Sequence, residues 1–383
     1  MDKYVYWLDN VSGLGDRSKI RLLAAFHSCE EVYYEKERYL QYILEKEQIN
    51  KLLASKEKWN LEKSWEELSV SQIKMTAIHD SAYPLKLAQI PDPPFCLYYR
   101  GELPKEILPS VAIIGARQCS EYGRYIAEEL GKCLGEHHVQ VISGMAAGID
   151  GISQSAAIKA GGISFGVLGC GVDVCYPKSN QKLYEELIRE GGILSAYPPG
   201  TQPLKQLFPP RNRIVSGLSD VLVVIEARQK SGTSITVEMA LEQGKDIYAV
   251  PGRVTDRLSD GCNKMLREGA HVFLSPEDFL LELRQLIPDK MELAENRRKG
   301  QQKEEKTDQV GILEKETSLM TNEDKILSVL DFYPQYIEMI ALRLEKEHGI
   351  KLSMAELNGL LIQMCLWDEV RQEGAGWFLK NGS

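Results

Sequence analysis

The sequence predicts an α/β protein with an open, doubly wound, mostly parallel sheet, a helical domain before it and a winged-helix-like domain after it. From about residue 110 to 280, short apolar runs alternate with amphipathic helical stretches, and glycine-rich turns separate them. Apolar strands that alternate with helices are typical of parallel sheets covered on both faces. The repeated units are too few for an eight-stranded barrel, so an open sheet fits better.

Residues 1–75 are predicted to form a helical domain of the SAM-like or helix–hairpin–helix-like kind. The runs SKIRLLAAF and ERYLQYILEKEQINKLLASKEKW place apolar residues at three- and four-residue spacing, as amphipathic helices do. The stretch NVSGLGDRSKIRLL puts two glycines in a turn before a helix. Small DNA-binding hairpins have such a turn, and so do helix pairs that only pack together, so the pattern leaves both interpretations open.

The central domain is predicted over residues 76–285. Its first part, 76–109, is rich in proline and should be an extended, turn-rich connector, with CLYYRG as a short strand. The strands predicted beyond it are SVAIIG, VQVISG, GISFGVL, GGILSAY, DVLVVIE, DIYAV and HVFL. Amphipathic stretches such as GRYIAEELGKCLGEH lie between most of them and should be the covering helices.

Residues 286–322 are highly charged and nearly free of aromatic residues, which predicts a flexible linker. Residues 323–383 then show three helical patterns followed by VRQEGAGWFLK, which reads as a hairpin around Gly374–Gly376. Three helices followed by a hairpin is the order of a winged helix. The third helix has few basic residues, so contact with a partner or a second copy is as good an interpretation as DNA binding.

Composition limits the classes of protein that fit. No run of 18 or more apolar residues occurs and the N-terminus lacks a secretory pattern, so we expect no membrane span and a cytoplasmic protein. The eight cysteines form no CxxC pair, which argues against zinc and against a disulfide framework. The net charge of −9 argues weakly against a polyanionic partner, but local basic patches decide such binding.

The loops that follow the strands carry the candidate binding residues. In open parallel sheets, ligands bind beyond the carboxyl ends of the strands, where helix N-termini offer free N–H groups. The candidates there are basic, hydroxyl or glycine residues. They are Gly115 and Arg117; Ser143, Gly144 and Gly148; Gly169, Gly171 and Lys178; Lys205, Arg211, Asn212 and Arg213; and Lys230, Ser231, Gly232 and Thr233.

These loops favour phosphate binding over catalysis. The first loop, IIGARQCSEYG, is neither GxGxxG nor a P-loop, so no nucleotide cofactor is expected. No Ser-His-Asp set, paired carboxylates or metal-ligand cluster can be assembled from the strand ends. One phosphate does not need so many cationic loops, whereas a nucleic-acid backbone does.

Some side chains in these loops have two interpretations. Arg117 either contacts phosphate or makes a surface ion pair, and Asp150 either caps a helix or orients a basic side chain. Phe208 and Tyr176 either stack on bases or pack in the core.

The stretch FPPRNRIVSGLSD, residues 208–220, comes directly before an apolar strand. Its prolines restrict the chain, and we expect an extended segment there. Arg211 and Arg213 would then share one face, with Asn212 opposite and free to bond the backbone. The two arginines are predicted to form a phosphate track with Arg117 and Lys230, although one of them could be an internal strut.

Seven stretches of residues 76–280 resemble, in order, the DNA-processing protein A family (DprA/Smf). They are GARQCSEYG, SGMAAGID, GCGVDVCYP, FPPRNRIVSGLS, VVIEARQKSGTSIT, AVPGR and GCNKMLREGA. The resemblance implies an extended Rossmann-like domain that binds single-stranded DNA as a homodimer, protects it and helps load the RecA recombinase during natural transformation. It carries the family's binding role to Arg117, Arg211 and Arg213, to Lys178 and Lys205, and to the loop Lys230–Thr233.

The chain departs from the family pattern at two places. Gln154 stands where the family often has histidine, and Ser195-Ala196 where it usually has Ser-Glu. Neither change removes a basic side chain, so DNA binding is expected to survive. A rival reading is an enzyme: SGTSITVE also resembles part of the phosphate loop of lysine-decarboxylase-like nucleotide phosphoribohydrolases, with Glu238 as the acid.

Overall fold

A computed structural model describes residues 3–308, 321–331, 334–367, 369–373 and 376–380, with only the backbone described for residues 299–308 and for Trp377. The chain divides into two compact units. Met1–Gln118 and Ala127–Lys299 form the first unit, and Cys119–Ile126 and Gly300–Ser383 form the second.

Short helices make up the start of the first unit. They are α1 (Lys3–Asp9), α2 (Asp16–Phe26), α3 (Cys29–Tyr34), α4 (Glu37–Leu40), α5 (Lys46–Lys58) and α6 (Leu61–Val70). The run predicted as one long helix from residue 37 is divided between α4 and α5. Glu45 begins α5 with a capping box in which it exchanges hydrogen bonds with Gln48, and such a cap starts a new helix.

Strands and helices then alternate as predicted. The elements are β1 (Lys74–Ala77), α7 (Leu85–Ala88), β2 (Cys96–Gly101), β3 (Ser110–Ile114), α8 (Glu121–Glu136), β4 (Gln140–Ser143), α9 (Ile149–Lys159), β5 (Ser164–Val167), α10 (Gln181–Glu190), β6 (Gly192–Ser195), α11 (Phe208–Gly217), β7 (Val221–Val224), α12 (Gly232–Glu242), β8 (Asp246–Ala249), α13 (Asp260–Arg267), β9 (His271–Val272) and α14 (Pro276–Leu286). The seven strands predicted from SVAIIG to HVFL, and the strand CLYYRG, are all present.

The described residues form a nine-stranded sheet in the order β1-β2-β6-β5-β4-β3-β7-β8-β9. From β6 to β9 neighbouring strands are parallel, whereas β2 pairs antiparallel with both β1 and β6. The predicted mostly parallel, doubly wound sheet is confirmed. The connector predicted over 76–109 therefore contributes β2 and the second half of β1 to the sheet, because the boundary predicted after residue 75 falls inside β1.

The N-terminal helices share a hydrophobic core with the sheet. Trp7 and Leu8 of α1 belong to the same buried cluster as Tyr98 of β2 and Leu168, next to the end of β5. A buried ion pair joins Lys19 Nζ to Asp9 Oδ1 at 2.8 Å, and the Tyr98 hydroxyl donates to Asp9 Oδ2 at 2.6 Å. The predicted separate helical domain is thus packed into the first unit.

Part of the predicted flexible linker is helical. Helix α15 (Pro288–Asp308) begins two residues after α14 ends, and Met291 and Ala294 on it are buried. Lys290 Nζ lies 2.7 Å from Asp220 Oδ1, which ties the start of α15 to the turn before β7. Its Glu, Lys, Arg and Gln residues all favour helix, which the charge-based prediction of disorder overlooked. Residues 309–320 of the predicted linker lie outside the described part.

The second unit has the predicted winged-helix order. Its elements are α16 (Asn322–Val329), β10 (Gln335–Tyr336), α17 (Ile337–His348), α18 (Met354–Leu366), β11 (Val370–Gln372) and β12 (Trp377–Lys380). The hairpin strands β11 and β12 pair antiparallel, while Gly374 at the predicted tip lies outside the described residues. Helix α18 carries neither lysine nor arginine, and Ile362 and Leu366 on it are exposed. This surface gives the third helix no basic face.

None of the helices within the described residues is both long enough and apolar enough to cross a membrane. All eight cysteines are free thiols.

Candidate nucleic-acid interface

A cleft of about 770 Å³ opens at the carboxyl edge of the parallel strands. The loops after β3, β4 and β7 and the helix α11 form its walls. Strands β3 and β7 are neighbours, but the chain leaves them toward opposite ends of the sheet. Such a reversal opens a crevice in which doubly wound folds bind their ligands. Strand-end loops that the sequence predicts to bind a ligand therefore line a concave surface.

Arg211 forms the floor of the cleft. Its side chain projects from α11, and its Nη1 donates to the backbone oxygens of Gly144, at 2.9 Å, and of Val167. The residue is only 5% exposed, and burial lowers the pKa of its guanidinium while Asp150 opposes that shift. Gly144 has no side chain because a Cβ there would lie 2.6 Å from the guanidinium. The arginine therefore joins the ends of β4 and β5 and gives the cleft a buried positive charge.

Asp150 is the acidic residue of the cleft wall. Its Oδ2 accepts a hydrogen bond from the backbone N–H of Gly144 at 3.1 Å. Burial raises the pKa of this carboxyl, and Arg211 acts against the rise. Asp150 is not the N-cap residue of α9, since Gly148 occupies that position and Asp150 lies in the first turn. Its carboxylate instead holds the loop after β4 and faces the charge of Arg211, which is closer to the second of its two predicted roles.

One aromatic ring lies close to both cleft arginines. The guanidinium carbons of Arg117 and Arg211 lie 5.9 Å and 6.0 Å from the centroid of the Phe208 ring, within cation–π range. Tyr176 lies beside Phe208, with 5.4 Å between ring centroids, and is 41% exposed. Arg117 itself is exposed and lines the cleft. The cleft therefore has flat and cationic groups on the same wall.

The N-terminus of α12 forms the opposite wall. Ser231 precedes the helix as its N-cap residue, and Gly232 and Thr233 begin it. All three line the cleft, together with Arg228. The predicted Lys230 is exposed but is not among the lining residues. Arg228 was missed although it lies in the same loop, because the sequence does not show which side chain of a loop turns inward.

The prediction of an extended segment at FPPRNRIVSG is wrong. Residues Phe208–Gly217 form helix α11, with prolines in its first turn. Neighbouring positions in a helix are 100° apart, so Arg211 and Arg213 point in nearly opposite directions rather than sharing a face. Arg213 pairs with Asp16 and Asp92, each at 3.0 Å, and its side chain is 17% exposed. Arg213 is the internal strut of the pair, and it drops out of the predicted phosphate track.

The remaining predicted residues divide into two groups. Lys205 and Asn212 line the cleft together with Gly115 and Gly144. The others lie behind or beside it: the Ser143 hydroxyl donates to the Ile113 backbone oxygen, and Gly169 packs against Phe208. Lys178 is exposed in a short 3₁₀ turn outside the lining, and Gly171 packs against the turn around Gly200.

Gly148 is required by its backbone. Its φ of +78° lies in the left-handed region, and a Cβ would come within 2.3 Å of the backbone oxygen of Ala116. The loops after β3 and β4 approach each other closely at this point, so Gly148 shapes the cleft without lining it.

The two departures from the family pattern have structural roles. Gln154 is fully buried; its side chain accepts from the Met145 N–H at 3.1 Å and donates to the Phe165 oxygen at 2.9 Å. Ala196 packs against the buried cluster on one face of the sheet. Gln154 thus supports the loop after β4, Ala196 belongs to the packing of the sheet, and neither lines the cleft.

The enzyme reading finds no support in this geometry. Glu238 is exposed on α12 and is not among the cleft-lining residues. Within the described residues, no group of three or more His, Cys, Asp or Glu side chains is placed to hold a metal ion.

Comparison with known proteins identifies the family. The model of a family described as DNA recombination-mediator protein A matches residues 74–284. The chain is 43% identical over 206 residues to DNA processing protein DprA of Streptococcus pneumoniae, a match that covers 54% of this chain and 73% of that protein. It is 38% identical over 214 residues to the Bacillus subtilis DprA, covering 55% and 71% of the two chains.

Solved structures agree with this assignment. The X-ray structure of DNA processing protein A from S. pneumoniae superposes with a TM-score of 0.66 at 34% identity, over 74% of this chain and 98% of that one. The Helicobacter pylori protein, whose structure is described for its single-stranded DNA binding mode, superposes with a TM-score of 0.51 at 30% identity, over 56% and 96%. The resemblance found in the seven stretches is confirmed, and the chain belongs to the DNA recombination-mediator protein A family.

Proposed function

We propose that this chain binds single-stranded DNA along the cleft, without strong sequence preference and without catalysis. One observation carries the proposal: the cleft lining contains four basic residues and one acidic residue. The basic residues are Arg117, Lys205, Arg211 and Arg228, and the acidic residue is Asp150. This concentration of positive charge occurs on a chain of net charge −9. The H. pylori relative, described as binding single-stranded DNA, supports the choice of ligand.

The proposed contacts are of two kinds. Guanidinium and ammonium groups and the N–H groups at the start of α12 would face phosphates, which carry no sequence information. Phe208 and Tyr176 offer rings on which any base can stack, and stacking tolerates all sequences. Duplex DNA keeps its bases stacked internally and offers no free base to these rings, so single strands should bind more tightly.

Replacing Arg117 by alanine should weaken binding to all single-stranded oligonucleotides about tenfold, as the loss of a charge-assisted contact does. The logarithmic salt slope should fall by about 0.7, because one phosphate contact is lost. Fluorescence-anisotropy titrations with single- and double-stranded oligonucleotides at several salt concentrations measure both quantities. Arg189→Ala is the control, since Arg189 is exposed on α10 and pairs with Glu190. An Arg117→Ala protein with unchanged affinity and slope would refute the proposed interface.

We propose also that the chain forms a homodimer. The edge strand β9, the segment after it and the adjoining α14 expose Val272, Leu274 and Leu281, which are 45%, 71% and 55% exposed. Glu277 and Arg284 flank Leu281 on α14, and Arg284 Nε also lies 2.8 Å from Glu295 Oε1. Two copies related by a two-fold axis would bring these opposite charges together around an apolar centre. A second copy of the chain is therefore the partner proposed for this surface.

Leu281→Arg should convert the dimer to a monomer, because a charge would enter the centre of the apolar contact. Sedimentation equilibrium of the two proteins measures the change. Leu241→Arg, at an exposed leucine of α12, is the matched control and should leave the mass unchanged. A wild-type protein that sediments as a monomer at micromolar concentration would contradict the dimer.

The finer role proposed is protection of incoming strands and help in loading RecA recombinase during natural transformation. The family description as a recombination mediator supports it. The relevant measurement is whether the chain speeds RecA filament assembly on single strands.

A further inference from the structure

We propose that the N-terminal helices position the DNA-binding helix α11 through an ion-pair cluster of Arg213, Asp16 and Asp92, called here the Arg213 cluster. Helix α11 carries Phe208 and Arg211 of the cleft, so any shift of α11 moves both. The DNA-binding part of this inference rests on the proposed function, whereas the positioning of α11 does not.

Two elements outside the cleft hold the Arg213 side chain. Its Nη1 donates to Asp92 Oδ2 in the segment before β2, and its Nη2 donates to Asp16 Oδ2 at the start of α2, both at 3.0 Å. A guanidinium is planar, so two donors engaged by two separate carboxylates fix its orientation. The helix that bears it is thereby fixed in rotation relative to α2.

The Arg213–Asp16 pair of the cluster is partly shielded from water. The side chains of Arg213 and Asp16 are 17% and 27% exposed, and that of Asp92 is 37% exposed, so the Arg213–Asp16 pair is the more shielded of the two. Burial raises the pKa of Asp16, while Lys19 and Arg213 act against the rise. Ion pairs shielded in this way are screened by salt much less than exposed ones. The contact should therefore persist at the salt concentrations at which DNA binding is measured.

The turn SGLGDRSK, whose sequence also fits a DNA-binding hairpin, uses its charged side chains in ion pairs within the protein. Asp16 reaches Arg213, and Lys19 is buried against Asp9. Arg17 Nε bonds the second oxygen of Asp92 at 3.0 Å, although Arg17 itself is 79% exposed. The charged residues of the turn are therefore engaged with the protein, which favours the packing interpretation of the turn.

Residue 213 is held from a second side as well. The Gln243 side chain, just after α12, donates to the backbone oxygen of Arg213 at 3.0 Å. Helix α12 begins at the cleft with Gly232 and Thr233. The N-terminal helices and the end of α12 thus both contact Arg213 of α11. Through this residue the N-terminal region is connected to both walls of the cleft.

The first measurement is the affinity for a single-stranded oligonucleotide as a function of salt. Arg213→Met and Asp16→Asn should each weaken binding about tenfold, as the loss of a positioning contact does. Their salt slopes should equal that of the wild type, since no phosphate contact is lost. The double variant should bind no more weakly than Arg213→Met alone, because both changes break one contact. Arg17→Ala is the control, because Arg17 lies on the same helix as Asp16 and pairs with Asp92 but does not contact α11. This variant should bind as the wild type does.

The second measurement needs no DNA. Backbone amides of residues 208–217 should exchange hydrogen faster in Arg213→Met and Asp16→Asn than in the wild type or Arg17→Ala. A salt slope reduced in Arg213→Met would show direct phosphate contact and overturn the inference. Unchanged exchange and affinity, at a temperature where both variants are folded, would overturn it too. If the wild type bound no DNA, the proposed function would fail, and the exchange rates alone would decide whether α11 is positioned.

Discussion

Arg211→Met is expected to weaken single-stranded DNA binding about a hundredfold, more than any exposed change in the cleft. Arg211 supplies the buried positive charge of the cleft floor, and charge shielded from water interacts more strongly than charge at the surface. Its loss also frees the backbone oxygens of Gly144 and Val167, which it holds together. Both effects act on the floor of the cleft, so they should add to the loss of affinity.

The same variant should be less stable by about 3 kcal/mol at neutral pH, as expected when one member of a buried charged group is removed. The loss depends on pH through Asp150, whose pKa is already raised by burial and is held down by Arg211. Without Arg211 that pKa rises further. A carboxyl whose pKa is higher in the folded than in the unfolded state favours the fold only while it is protonated. The free energy of unfolding therefore falls as the pH rises above the pKa of that carboxyl in the unfolded state. The difference between wild type and variant should therefore grow from pH 4 to pH 7.

Urea unfolding at several pH values, with oligonucleotide titration of the folded proteins, checks both parts. Arg211→Lys is the informative companion, because it keeps the charge and loses the planar fork that reaches two oxygens. It should recover part of the affinity. A methionine variant with wild-type affinity would show that the cleft floor does not contribute to binding.

Lys19→Met is expected to lower the free energy of unfolding by about 3–5 kcal/mol, the range for breaking a buried ion pair. It would leave the Asp9 carboxylate, whose side chain is 3% exposed, without its cation. Tyr98 would remain as a donor to that carboxylate, but a hydroxyl does not neutralise a charge. The loss falls where α1, α2 and β2 meet, so it should destabilise the whole first unit.

Urea unfolding followed by circular dichroism measures this loss at pH 7. Lys51→Met is the matched control: its partner is Glu47, both side chains are well exposed, and the cost should stay below about 1 kcal/mol. If Lys19→Met cost no more than Lys51→Met, the buried pair would not be the link between the N-terminal helices and the sheet.

The sheet was predictable because its signals are local. Runs such as DVLVVIE and the glycine turns after them predict a strand and its end without knowledge of the rest of the chain. The α11 segment shows where this fails. Its alternating arginines fit the two-residue period of a strand, but Pro209 and Pro210 in its first turn start a helix. A strand period places Arg213 on the same face as Arg211, whereas the helix directs it away from the cleft.

The cleft was predictable only in part for a related reason. The rule about strand ends predicts the loops that line the cleft, and Arg117, Arg211 and Thr233 within them. It could not decide between Arg228 and Lys230, two residues apart in one loop, because the path of the loop depends on distant contacts. One such contact is the Ala227 N–H, which donates to the Leu258 oxygen at 2.8 Å.

The core shared by the N-terminal helices and the sheet sets a practical limit on how the protein can be shortened. A fragment trimmed to the family match, residues 74–284, would retain every strand of the large sheet. It would also uncover Tyr98, which is 0% exposed in the whole chain, and leave Arg213 without Asp16. Such a fragment would carry a new apolar surface prone to aggregation. The shortest stable fragment of this protein should therefore start at the first helix rather than at the first strand.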